Sequence, residues 1–245
     1  MEYDALILAG GRSSRLGGVP KAGLIYDGVP LVDRAIAAAG GAARTVVVGP
    51  GDSVRPDDEV LHAREDPPFS GPAAAIAAGL ASLGRDRTPS RWTLVLACDM
   101  PHADRAVPVL LAACEAAAGR DTGGAGHAAE RGGIVGGVVA ESPDGRRQQL
   151  AAVYDTAMLQ KAAARMATLG TLQNGSIRAL LANLDVVTVP VPAGSTDDVD
   201  TWADAEALGV EREGPPNEAG PLNGSGQRLD EATLEADGED AGPDS

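Results

Sequence analysis

Tyr3–Ala9, YDALILA, runs directly into Gly10–Lys21, GGRSSRLGGVPK. An apolar run of this length that ends on paired glycines reads as a strand buried on both faces, the kind found inside a parallel sheet. In the loop that follows, Gly10 and Gly11 let backbone N–H groups approach an anion with no Cβ in the way. Arg15 and Lys21 add cations able to clamp a polyphosphate, and Ser13 and Ser14 add hydroxyl donors. A plain strand-to-helix turn with solvated basic residues has the same composition, so the loop does not decide the matter alone. It is neither of the common phosphate loops: no GxGxxG is present, and Lys21 is followed by Ala22 rather than Ser or Thr.

Outward from this loop, apolar runs alternate with Ala- and Leu-rich stretches. Helices are expected at Pro30–Ala39, Gly71–Leu83, about Asp104–Ala118, Thr156–Thr168, Ser176–Asn183 and Asp198–Leu208. Strands are expected at Thr45–Val48, Val60–His62, Trp92–Ala97, Ile134–Ala140, Leu150–Tyr154 and Val186–Val191, the polar turn SPDGRR joining the fourth to the fifth. This alternation predicts an α/β fold, a Rossmann-like three-layer domain with a mostly parallel, doubly wound sheet. Ligands of such sheets bind beyond the carboxyl ends of the strands, where the loops after Ala9 and Ala97 lie. The domain is expected to span residues 1–210. Gly119–Gly133 is a Gly-rich loop within it, and 211–245 reads as a disordered acidic tail with little apolar surface to bury.

Hydrophobic residues make up 44% of the 245, yet aromatics only 2%, so the core is built from small aliphatic side chains. The formal net charge is −15; the tail alone holds ten acidic residues against Arg212 and Arg228, a net −8. Nothing here neutralises a phosphate polymer or an anionic bilayer, so nucleic acid and membrane are not expected partners. No apolar run approaches the roughly 18 residues of a membrane span, and no leader opens the chain, which points to the cytoplasm. Cys98 and Cys114 stand in neither a disulfide framework nor a zinc spacing.

Asp99 ends the apolar strand Trp92–Ala97, where a carboxylate is costly unless a cation or donors meet it. It reads either as a ligand for Mg²⁺, which takes one or two carboxylates with phosphate oxygens and waters, or as a cap for the next helix. His62, His102 and His127 have no triad spacing with any serine, and Cys98 reads as a buried small residue rather than a nucleophile.

Several ordered motifs resemble one family. Leu8-Ala9-Gly10-Gly11 with Ser13, Arg15 and Lys21 is similar to the opening signature of nucleotidyltransferases that act on phosphorylated small molecules, most of all the molybdenum cofactor guanylyltransferases. The likeness continues through Glu65-Asp66-Pro67-Pro68-Phe69-Ser70-Gly71-Pro72, Leu96–Pro101 (LACDMP), Gln149–Tyr154 and Asn174–Arg178. It ends at Asp198-Val199-Asp200-Thr201, so it covers about residues 3–209.

The resemblance implies transfer of GMP from GTP to the phosphate of molybdopterin, giving a guanine dinucleotide cofactor and pyrophosphate. It implies catalytic roles for Arg15, Lys21 and Asp99, and nucleotide contacts at Leu8, Ala9, Gly10, Gly11, Ser13, Ser14, Asp66 and Gly71. It places Mg²⁺ on Asp99 and Asp200, with Asp197 and Asp198 competing for the second position. The acceptor falls to Arg147, Gln148, Gln149, Ser176 and Arg178, although Leu150 stands where the family often has proline. Implied partners are GTP, a molybdopterin-type acceptor and, transiently, molybdoenzymes or their chaperones, with the chain a monomer or weak oligomer. The alternatives are a CTP-using or sugar-phosphate transferase of the same fold, and a catalytically silent nucleotide-binding module.

Overall fold

In the computed structural model, which describes residues 1–50, 60–121 and 136–212, the apolar run Tyr3–Leu8 is a strand buried at every position. In chain order the elements are β1 (Tyr3–Leu8), β2 (Ile25–Tyr26), β3 (Val29–Pro30), α1 (Leu31–Ala38), β4 (Thr45–Val48), β5 (Val60–Ala63), α2 (Pro72–Leu83), β6 (Trp92–Ala97) and α3 (Ala103–Asp121). After them come β7 (Gly137–Glu141), β8 (Arg147–Asp155), α4 (Thr156–Thr168), α5 (Ile177–Leu180), β9 (Val186–Pro190), α6 (Trp202–Leu208) and β10 (Val210–Glu211). Residues Met1–Arg212 form one compact unit.

Among the described residues, seven strands form one sheet in the order β5-β4-β1-β6-β8-β7-β9. β8 alone runs against its neighbours; every other pairing is parallel. The alternation of side chains along a strand divides the core in two. Ala5 and Ile7 of β1 pack with Val47, Leu94 and Leu96 under α1 and α3, in a layer that includes Ala35, Val107, Leu110 and Cys114. Leu6 and Leu8 point the other way, with Val46, Val48 and Val95, under α2 and α4, where Ile76, Leu80, Leu83 and Leu159 close the second layer. The expected three-layer, doubly wound, mostly parallel α/β architecture is the one observed. Gly79 lets α2 lie close on the sheet, since a Cβ there would come within 2.8 Å of Leu6 Cδ2 and 2.9 Å of Val48 Cγ2.

Some boundaries move for local reasons. The last helix starts at Trp202 rather than Asp198, because the Thr201 hydroxyl accepts the Asp204 N–H while the Asp204 carboxylate accepts the Thr201 N–H, a capping box. α5 is shorter than Ser176–Asn183: Ser176 is its N-cap, accepting the Ala179 N–H at 3.1 Å, and the helix ends at Leu180. β8 begins three residues before Leu150, so Arg147, the last residue of the expected turn, is already strand, as are Gln148 and Gln149. Its register against β7 shifts between Val139 and Ala140.

A second sheet of three short strands, β10-β2-β3, was not anticipated from the sequence. It covers a separate apolar cluster of Leu16, Leu24, Leu31, Val199, Ala205 and Val210. Pairing of Glu211 with Ile25 and the Arg212 guanidinium lying 4.4 Å over the Trp202 ring carry ordered structure just past residue 210. α3 continues to Asp121, three residues into the expected Gly119–Gly133 loop; the rest of that loop, the expected tail from 213 onward and the expected strand start at Ile134 lie outside the described residues. No helix among the described residues is long and apolar enough to cross a membrane.

Candidate active site

Beyond the carboxyl ends of β1 and β6 lies a cleft of about 550 Å³, lined by the Gly10–Lys21 loop on one side and by Gly71, Pro72 and Ala75 of the α2 entry on another. Its floor is Leu8, Ala97 and Cys98, with Leu150 from β8. The loop is held open by backbone geometry. Gly11 has φ 146° and Ser13 φ 44°, and the chain then makes a single 3-10 turn over Ser14–Leu16. Gly71, at φ 88°, precedes Pro72 at the first position of α2, and a Cβ there would sit 3.3 Å from the Gly175 carbonyl oxygen. Glycine is required at such a left-handed position beside backbone.

At the centre of the cleft, Lys21 Nζ donates to Asp99 Oδ2 at 2.7 Å and to Asp200 Oδ1 at 2.6 Å. Arg15 lies at the mouth, mostly exposed, with Nη1 3.5 Å from Asp200 Oδ2. Three separate pieces of chain meet here for identifiable reasons. β6 delivers Asp99, and the Asp99 carbonyl accepts the Val199 N–H at 3.0 Å, which docks the Asp200 segment against it. Leu16 and Leu24, on either side of Lys21, share the small apolar cluster with Val199 and Ala205. Lys21 is therefore bracketed by two buried leucines, and burial of such side chains is worth about 1.5–3 kcal/mol each.

Neither aspartate is occupied in capping a helix. Thr201 caps α6, leaving the Asp200 carboxylate to Lys21 and Arg15, and Asp99 stands four residues ahead of Ala103, where α3 begins. Burial alone would lower the Lys21 ammonium, but Asp99 and Asp200 outweigh it and raise its pKa. The Asp198 carboxyl is also raised, first by burial and then by the neighbouring charges of Asp99 and Asp200. Asp99, Asp198 and Asp200 each offer one carboxylate oxygen, and these oxygens lie within 4.8 Å of one another. An all-oxygen set of this kind fits a hard divalent cation.

Of the residues expected to meet the nucleotide, Leu8, Gly10, Gly11, Ser13, Ser14, Arg15, Lys21, Gly71 and Asp99 line the cleft together with Asp200. Ala9 lies against the far side of the same loop, in an adjoining pocket with Arg12, Pro50 and Phe69. Asp66 does not face the cleft: it is exposed, and its neighbour Glu65 takes the cleft position. Glu65 and Phe69 are among the lining residues not expected from the sequence, although both sit in the loop it singled out; Arg12, Pro72, Ala75, Ala97, Cys98 and Leu150 are the others.

The residues expected to hold the acceptor are not gathered at the cleft. Arg147 is exposed beside Glu141, with Nε 4.0 Å from Oε2. Gln148 donates to the Thr196 carbonyl at 3.1 Å, and the Gln149 carbonyl accepts the Tyr154 hydroxyl at 2.8 Å. Arg146, on the same stretch, lies 3.9 Å from Asp198. Ser176 and Arg178 are exposed on α5 and its cap. The Asn174–Gly175 segment instead supports the α2 entry, with Asn174 N–H on the Ser70 carbonyl and the Gly175 carbonyl accepting the Ala73 N–H.

A search of curated proteins returns no match. Among solved structures, the chain is similar to the molybdopterin-guanine dinucleotide biosynthesis protein A of Archaeoglobus fulgidus, at 20% identity and TM-score 0.59, over 84% of this chain and 96% of that one. It is similar to the 2-C-methyl-D-erythritol 4-phosphate cytidylyltransferase of Thermus thermophilus, at 22% identity and TM-score 0.58, over 85% and 97%. It is also similar to the manganese complex of Rv0371c from Mycobacterium tuberculosis, at 15% identity and TM-score 0.57, over 85% and 98%. These likenesses establish the fold. Residues 5–189 match the model of the MobA-like NTP transferase domain, and the chain belongs to that family of nucleotidyltransferases.

Proposed function

We propose that the protein transfers GMP from GTP to the phosphate of a molybdopterin-type acceptor, releasing pyrophosphate. The observation that carries the reading is one cleft that combines a glycine loop, Lys21 and the Asp99–Asp200 pair. Family membership supports nucleotidyl transfer, and the name of the Archaeoglobus structure supports guanine and molybdopterin. The chain is read as working in the cytoplasm, as a monomer or weak oligomer.

In this reading an acceptor phosphate oxygen attacks the α-phosphorus, a bond to that oxygen forms, and the bond to the departing pyrophosphate breaks. A phosphate monoester is largely ionised near neutral pH, so no histidine is needed to remove a proton. The work left to the protein is alignment and neutralisation of charge. Gly10 and Gly11 present N–H groups to the phosphates, while Lys21 meets the α-phosphate and Arg15, at the mouth, the leaving pyrophosphate. Asp99 and Asp200, with Asp198 beside them, would hold a divalent cation, Mg²⁺ in this reading; the manganese in the Mycobacterium relative supports such a site. When bound, it supplies charge neutralisation to phosphate oxygens. Arg147, Gln148 and Gln149, on the β8 side, are the proposed start of the acceptor region, with Ser176 and Arg178 at its edge.

The test uses GTP labelled at either the α- or the γ-phosphate, with molybdopterin and Mg²⁺. The α-label is expected in the acceptor and the γ-label in pyrophosphate. Label retained in GTP, or released as inorganic phosphate, would contradict the reading. Transfer from CTP instead would move the chain to the cytidylyltransferases.

A further inference from the structure

Arg34 stands on α1, outside the cleft lining, yet it touches both segments whose side chains meet at the centre of the cleft. Its Nε donates to the carbonyl of buried Pro101, in the turn just past Asp99, at 3.0 Å. Its guanidinium carbon lies 4.6 Å from the ring centroid of Tyr26, on the short strand β2 that follows Lys21. Tyr26 in turn meets His102 edge to face, with ring centroids 5.0 Å apart and planes at 82°. Arg34 and the Tyr26–His102 pair thus bridge the stretch that carries Lys21 to the turn that carries Asp99.

The helix that bears Arg34 is itself firmly seated. Val32 and Ala35 lie in the main core, while Leu31 joins Leu16 and Leu24 in the small cluster beneath the second sheet. The turn after β6 is tied at its start, where the Cys98 N–H reaches the Leu8 carbonyl at 3.0 Å and the Asp99 carbonyl accepts the Val199 N–H. Arg34 fixes the next stretch, at Pro101. A charged donor makes the stronger kind of hydrogen bond, and the Tyr26 ring beside the guanidinium restrains it further. Such restraint bears on rate, because a misplacement of about 1 Å in a reacting site can cost about 10²-fold.

We infer that Arg34 is a positioning residue for the reaction: through the Pro101 carbonyl and the Tyr26 ring it sets where the Asp99 carboxylate stands relative to Lys21. This rests on the reading above in which Asp99 holds the cation. Arg34 meets neither substrate nor metal. Its effect therefore passes through Asp99, on metal affinity and on the chemical step, and leaves the binding of nucleotide to the glycine loop unchanged.

Mn²⁺ titrated into the full chain and followed by electron paramagnetic resonance, with no nucleotide present, reads the carboxylate site directly. Arg34→Met keeps the aliphatic stem and removes the donor and the charge. It is expected to weaken Mn²⁺ binding about 10-fold, the low end of the range for groups that orient metal ligands. It should also lower kcat by about 10-fold while KM for GTP stays within about 2-fold. The melting temperature should fall by only about 2–4 °C, the shift for one hydrogen bond in a domain of this size. Tyr26→Phe keeps the ring and should bind Mn²⁺ as the wild type does. Tyr26→Leu should match Arg34→Met, and the double variant should lose no more than either, because both act along one path. Arg34→Lys retains a charged donor, and its smaller loss of Mn²⁺ affinity decides the matter if Arg34→Met does not fold. Unchanged Mn²⁺ affinity and kcat in the folded Arg34 variants, with the metal lost in Asp99→Asn, overturn the assignment; so does a raised KM at unchanged kcat. Mn²⁺ binding that survives Asp99→Asn would instead sink the metal reading on which the assignment rests.

Discussion

Nζ of Lys21 lies 2.7 Å from Oδ2 of Asp99, a residue 78 positions away in sequence, and the same ammonium reaches Asp200 at 2.6 Å. Both Lys21 and Asp99 are mostly buried, with side chains 19% and 16% exposed. One cation thus ties the first loop of the fold to the ends of two later segments. In Asp99→Asn the amide still accepts from Lys21 but has lost the charge that attracts metal and ammonium. The variant is expected to fold, by circular dichroism, and to lose about 10²-fold or more in kcat at saturating nucleotide. Near-full activity at saturating Mg²⁺ would show that Asp99 does not hold the metal.

Arg15 is a different case. Its contact with Asp200 is 3.5 Å long, and its side chain is 72% exposed. An exposed pair of this kind contributes at most about 1 kcal/mol to stability. Arg15→Ala should therefore leave the melting temperature nearly unchanged while lowering kcat/KM for transfer by roughly 10-fold or more. A large fall in melting temperature would make Arg15 structural.

The small cluster beneath the second sheet is what holds Lys21 in place. Leu24, fully buried three residues after it, packs with Leu16, Val199 and Ala205. Leu24→Ala is expected to cost about 2–5 kcal/mol, the range for emptying a buried leucine site. Hydrogen exchange should rise in the 14–26 and 199–211 segments more than in β1 and β6. Uniform loss of protection across the sheet would mean that the cluster is not a separate unit.

This cluster also marks where the sequence stopped being readable. β1, β4 and β6 are short, mostly apolar runs bounded by turn residues, and α2 and α4 are long stretches rich in Ala and Leu; local composition alone identifies such elements. The two-residue strands β2, β3 and β10 carry no period, and Val210 of β10 lies some 180 positions from its partner strand, Ile25 and Tyr26. Only tertiary packing makes them strands. The site divides in the same way. Gly10, Gly11, Lys21 and Asp99 sit in the loops directly after buried strands, where ligands of such sheets bind, so they stood out. Glu65 was masked by Asp66 beside it, because nothing in a Glu-Asp pair says which carboxylate turns inward. Ser176 entered through the resemblance, and the cap it makes on a four-residue helix had no signal of its own in the sequence.

The two thiols offer a check on the core and on the exclusion of cysteine chemistry. Cys98 and Cys114 are both buried and free. Burial pushes the Cys98 thiol far up, and pushes Cys114 up to about 12. A thiol raised in this way gains its thiolate only as pH climbs toward the raised value, so both should stay unreactive near pH 8. A disulfide reagent at that pH should label neither thiol in the native protein and both after unfolding. Fast labelling of Cys98 would mean that the floor of the cleft is open.

The central claim is guanylyl transfer at the Lys21–Asp99 cleft, and the most direct measurement is pyrophosphate release with molybdopterin and Mg²⁺, compared between GTP and CTP. A site whose polar groups match one base leaves them unmet with the other, at about 1–3 kcal/mol for each group. The expected result is release that requires the acceptor, with kcat/KM for GTP at least about 10²-fold above that for CTP. Release at comparable efficiency from both nucleotides, or none from GTP, would contradict it.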